Sequence, residues 1–324
     1  MLRKLNRLWK TVREINLDVI RQRAEAPFCI MVVADSAADR AAMAALLMGD
    51  PLRSPRSLVP GPWAFAPRTG DQGPRTNADL ALIVSRTGDL PSRLESARNI
   101  LVSKTIPVVT VLVGSFGHRQ ALTRRGERRR VALPSLNPDQ AETLASTLFD
   151  LVASDTRIAL ARHFPGLRQP FFDRIIEETS RANAGYAFST GLAEVVPLLD
   201  VPLNIGDIVV LTKNQLIMAY RIALAAGKEG RPADVIGEMM GVVGGSLMCR
   251  QVARELIGLI PVIGIIPKVA VAYGGTWAIG RAVVAWATGA EEATKRSLQH
   301  LYAAGLDRGR EVARQLTSRF SRAA

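Results

Sequence analysis

From Pro27 to Ser154 the chain alternates short apolar runs with longer mixed segments. FCIMVVA (28–34), DLALIVS (79–85), PVVTVLVG (107–114) and RVALP (130–134) are rich in Val, Ile and Leu. Runs this short, without polar alternation, predict strands buried on both faces of a sheet. Residues 38–48 and 91–103 read as helices, the second with Leu94, Ala97, Ile100 and Leu101 on one face. Residues 137–154 read as a third helix opening NPDQAE, with Asn137 as N-cap and Pro138 in the first helical position. Residues 49–77 are rich in Pro, Gly, Ser and Arg, and 117–130 form a basic loop or short helix. Strands alternating with helices imply a parallel sheet with helices on both faces, an α/β domain over residues 27–153.

Past Ser154 the strand pattern stops. Residues 157–164, 168–184, 186–199, 204–227, 232–260, 268–289 and 291–320 all read as helices, an all-α domain over 154–324. The stretch 256–290 has only Lys268 and Arg281 as charges, but these and Pro261 and Pro267 cut it into runs too short to span a bilayer. Ala270, Gly274 and Ala278 form a small-residue stripe that lets helices approach closely, in water or at a membrane.

The first 26 residues are a separate element. Leu5, Leu8, Val12, Ile15 and Val19 recur at 3-4-3-4 spacing, Trp9 widens the stripe, and Arg3, Lys4, Arg7, Lys10 and Arg13 cover the other side. Such a basic amphipathic helix either docks on its own protein or lies in a membrane interface. It has no continuous apolar core or cleavage site of a secretory signal. Asn16 and Asp18 can cap a short helix over 19–25.

Charge sharpens this picture. The 324 residues carry net +13, with +4 in residues 1–25, +5 in 119–130 and +3 in 291–324. The body is neutral, so the excess calls for an anionic partner at those places, or reflects a compositional preference for Arg over Lys, 35 to 7. Arg124, Arg125, Arg128, Arg129 and Arg130 join the N-terminal residues as candidate contacts to a membrane or partner. The Arg run lacks interleaved aromatics and a recognised module, so nucleic acid is an unlikely partner. Cys29 and Cys249 sit singly in apolar runs and read as buried thiols. His118, His163 and His300 stand alone, without the neighbours that zinc or acid–base chemistry needs, and Glu177–Glu178 reads as a solvated helix face. No catalytic constellation, metal or cofactor is expected.

The turn after the first strand is where an α/β nucleotide-binding protein holds phosphate, using GxxxxGK[ST]. Here the window is ADSAADRA: Ala34 and Asp39 fill the glycine positions, Arg40 the Lys position and Ala41 the hydroxyl position. Asp35 and Asp39 add negative charge where an anion would sit, so the loop should reject nucleoside triphosphates. The order of this turn, ADLALIVS, IPVVTVLVG and VALPSLNPDQAETLASTLFDLVAS resembles a Ras/Era-type GTPase domain. Ser115–His118 stands where that family has NKxD, no DxxG precedes ADLALIVS, the switch region is short, and Ser135 roughly matches the serine of the last base contact. The resemblance therefore implies a pseudo-GTPase, a degenerate P-loop GTPase-like sheet followed by a helical domain.

PLLDVPLNIGDIVVLTKNQLIMAYRIALAAGK (197–228), ARELIG (253–258) and LIPVIGIIPK (259–268) resemble the family termed domain of unknown function 697. That family is bacterial and helical, linked to Era- or dynamin-like GTPases and described as membrane-associated. Asp207 and Asn214 fall seven apart on a mostly apolar helix, and Asn204, Asp207, Asn214 and Gln215 are expected to form a buried polar network or an interaction site. The leading expectation is a non-catalytic interaction protein, peripheral at the inner face of the cytoplasmic membrane, meeting an anionic lipid surface or a GTPase-type protein partner. An active nucleotide hydrolase with an atypical site, or a basic nucleic-acid-associated protein, are the alternatives.

Overall fold

The computed structural model describes residues 16–49, 78–114, 129–195, 204–239, 265–290 and 295–323. The N-terminal stripe through Ile15, the loop residues Arg124, Arg125 and Arg128, His118 and Cys249 lie outside them, as do the side chains of Asn204 and Asp207. The chain divides into two compact units, one over Gln22–Phe171 and one that takes the remainder.

The first unit is α/β. It is entered through the first helix, α1 (Leu17–Glu25), within which the division between the units falls after Arg21; Asn16 caps this helix, its Oδ1 accepting from the Val19 N–H at 3.3 Å. The order then runs β1 (Ile30–Ala34), α2 (Ala37–Met48), β2 (Leu80–Ser85), α3 (Ser92–Ser103), β3 (Val108–Val113), β4 (Arg130–Leu133), α4 (Ala141–Leu151) and α5 (Arg157–His163). The four strands are parallel and lie in the order β1-β2-β3-β4, with Ile30 opposite Leu80, Ala81 opposite Val108 and Thr110 opposite Arg130. Every residue of β1, β2 and β3 is buried. Successive side chains point to opposite faces, so both faces are covered. On one face Met31, Val33, Ala81, Ile83 and Val108 cluster with Leu94 and Leu101 of α3. This is why the strand segments read as continuous apolar runs rather than alternating ones.

Two local expectations give way. β1 starts at Ile30, because the Cys29 carbonyl accepts from the Asp79 and Leu80 N–H groups while the Cys29 N–H donates to Asp79 Oδ2 at 2.7 Å. Asn137 does not cap with its side chain; Pro138–Gln140 form a 3₁₀ turn that leads into α4.

The unit also runs beyond Ser154, where the strand pattern stops, as far as Phe171. The reason is aromatic and backbone packing. Phe164 meets Phe28 edge-on at 6.4 Å, and Phe171 meets Phe149 at 6.0 Å. Arg157 Nε donates to the Phe149 carbonyl at 2.7 Å, and His163 Nε2 lies 2.9 Å from the Ala26 carbonyl. Gly166, in the 3₁₀ turn Pro165–Leu167, lies against the end of α2: a Cβ there would fall 2.8 Å from the Leu47 carbonyl oxygen and 3.0 Å from the Gly49 nitrogen. No side chain fits.

The second unit is helical: α6 (Arg168–Val195, within which the division between units falls), α7 (Asn204–Ala225), α8 (Pro232–Met239), α9 (Ile265–Thr288) and α10 (Lys295–Ala323). α6 is unbroken through Gly185, where the sequence pattern suggests two helices. One glycine costs a helix about 1 kcal/mol, too little to end it between good helix formers. The tightest contact joins α9 and α10. A Cβ on Gly305 would lie 2.6 Å from the Gly274 carbonyl oxygen, and one on Gly309 would lie 2.5 Å from that of Ala270. The small-residue stripe Ala270–Gly274 is thus a backbone-to-backbone crossing. No described helix is long and apolar enough to cross a membrane.

Candidate functional site

In a doubly wound sheet a ligand sits beyond the carboxyl ends of the strands, where the strand order reverses. Among the described strands the order runs β1-β2-β3-β4, with β1 at one edge. The turn after β1 is closed by its own side chains. Ser36 Oγ accepts from the Ala38 N–H at 3.1 Å, capping α2. Arg40, in the first turn of α2, folds back: its Nη1 donates to the Ala34 carbonyl at 2.7 Å. Asp39, in the first turn of α2, is only 7% exposed. Its Oδ1 accepts from Arg86 Nε at 2.8 Å and Nη2 at 2.6 Å, just past the end of β2. The carboxylate holds the Arg86 guanidinium above its usual pKa through these hydrogen bonds and its charge. The positive end of α2 is thereby matched to a carboxylate of the same chain. Asp35 and Ala41 are exposed and make no part of this arrangement. Arg86 escapes sequence reasoning because nothing in SRTGD announces that it reaches back forty-seven positions.

The polar positions of the helical unit are partly assembled. Asn214 and Gln215 of α7 are half-buried. Asn214 Nδ2 donates to Asn183 Oδ1 at 2.8 Å, and Gln215 Nε2 donates to Thr276 Oγ1 at 3.0 Å. Asn183 Nδ2 also donates to Thr276 Oγ1, whose hydroxyl in turn donates to the Ala272 carbonyl. Three helices, α6, α7 and α9, are thus tied together by amides. Asn183 and Thr276 are the members that sequence reading misses. A signal was present: Ile176, Ser180, Asn183 and Ala187 recur at 4-3-4 spacing, a core stripe with two polar members, and all four are buried. Ser180 Oγ has no hydrogen-bond partner among the described residues.

A second cluster lies on α6, α9 and α10. Trp277 is flanked by two guanidinium groups, Arg281 at 5.2 Å and Arg308 at 4.9 Å from the ring centroid. Arg281 also pairs with Asp173 at 2.6 Å. Glu178 pairs with Arg174 on an exposed helix face. Glu177 is more than such a face, since it binds Arg181 and accepts the Tyr273 hydroxyl at 2.6 Å. Burial, then the hydrogen bond to Glu177, raises the Tyr273 pKa well above the usual value for a phenol. The native state therefore holds this proton after an unfolded chain has lost it. The stabilisation is full below about pH 10, the unfolded value. It falls as the pH climbs beyond that. Tyr273→Phe is expected to melt below wild type at neutral pH, with the gap closing above pH ~10. Thermal melts of the two proteins across that range would show it, and a gap that widened with pH would contradict the assignment.

Of the basic candidates, Arg129 is exposed and Arg130 is half-buried as the first residue of β4. His163 binds a backbone carbonyl and His300 is exposed. Arg168 closes the end of α5, donating to the Ala161 and Arg162 carbonyls, and burial pushes its pKa down to about 10. Among the described residues no group of His, Cys, Asp and Glu is placed to hold a metal ion. No family model matches the chain, and no curated protein matches it.

Proposed function

We propose that this is a non-catalytic interaction protein, a GTPase-like α/β unit that has lost nucleotide chemistry joined to a helical unit, acting peripherally at the cytoplasmic face of a membrane. The observation that carries the non-catalytic reading is the closed turn at α2. Ser36, Arg40 and the Asp39–Arg86 pair take up the groups that a phosphate would need. A triphosphate would have to approach two carboxylates, one of them already holding Arg86 on its Oδ1, with no hydroxyl at Ala41 to hold magnesium. The membrane reading rests on the N-terminal basic stripe and on net +13, together with the resemblance of 197–268 to a membrane-associated family. A GTPase-type protein partner is the other occupant that this family context supports.

Titration with a fluorescent GTP analogue and magnesium is expected to give no saturable binding. Tight, magnesium-dependent binding would overturn the non-catalytic reading and favour a hydrolase with an atypical site.

A further inference from the structure

No further inference is drawn: the strongest candidate, the buried polar cluster of Ser180, Asn183 and Thr276 between α6 and α9, belongs to the amide network already described, and its three wholly buried side chains leave no opening for a ligand.

Discussion

Gly305→Ala is expected to destabilise the helical unit by about 2 kcal/mol, and Gly305→Val by more than 3 kcal/mol. Helices with ordinary side chains pack 8–10 Å apart, and glycine lets them come closer. At this crossing the atoms opposing a new methyl are backbone: the Gly274 oxygen at 2.6 Å and its Cα at 3.1 Å. Backbone cannot rotate away as a side chain can, so the two helices must separate and give up contact along their length. Alanine's better helix propensity returns about 1 kcal/mol, which keeps the smaller substitution near the middle of the overpacking range. Gly185→Ala is the matched control. Its Cβ would meet nothing within 4 Å, so the same chemical change there should stabilise by up to about 1 kcal/mol. Urea melts of the two variants should therefore move in opposite directions. Two losses of equal size would mean that helix packing at Gly305 is not the cause.

Phe149→Ala should cost about 3–5 kcal/mol, the range for removing a buried ring. Phe149 is 1% exposed, and its ring meets that of Phe171 at 6.0 Å. This pair ties the start of α6 to α4, and it is a main reason why the α/β unit extends to Phe171. A double-mutant cycle with Phe171→Ala should return a coupling of about 0.5–1.5 kcal/mol, as for other edge-on aromatic pairs. Additive effects would say that Phe171 packs independently of the α/β core.

The strands of this protein were legible in its sequence because burial on both faces leaves a signal with no polar interruption, as in LALIVS and VVTVLV. The departure from GxxxxGK[ST] was equally plain: Ala34, Asp39 and Ala41 stand at three of its positions. The contacts that close this turn were not legible. The Asp39–Arg86 pair joins residues forty-seven apart, and no local pattern encodes a contact made only once β2 lies beside β1. Asn214 and Gln215 stood out as polar residues in an apolar helix, but their partners Asn183 and Thr276 lie on two other helices. Thr276 is further hidden because a threonine can satisfy itself on the carbonyl four residues back, as it does on Ala272. The reach of the first unit past Ser154 was missed for a related reason. Strand patterning ends there, whereas aromatic packing does not.

The order of the described strands also bears on how the sheet is built from an unfolded chain. Each described strand pairs with the next described one, so none of these four must be threaded between two that are already in place. The loops to be closed differ: the pairing residues are 50 apart for Ile30 and Leu80, 27 for Ala81 and Val108, and 20 for Thr110 and Arg130. Closing the longest rather than the shortest costs about 0.8 kcal/mol more in chain entropy. β1 and β2 are the first strands in the chain, yet their pairing closes the longest of the three loops. When the full-length unfolded chain refolds, assembly is therefore expected to seed on β3 and β4 and to add β1 last.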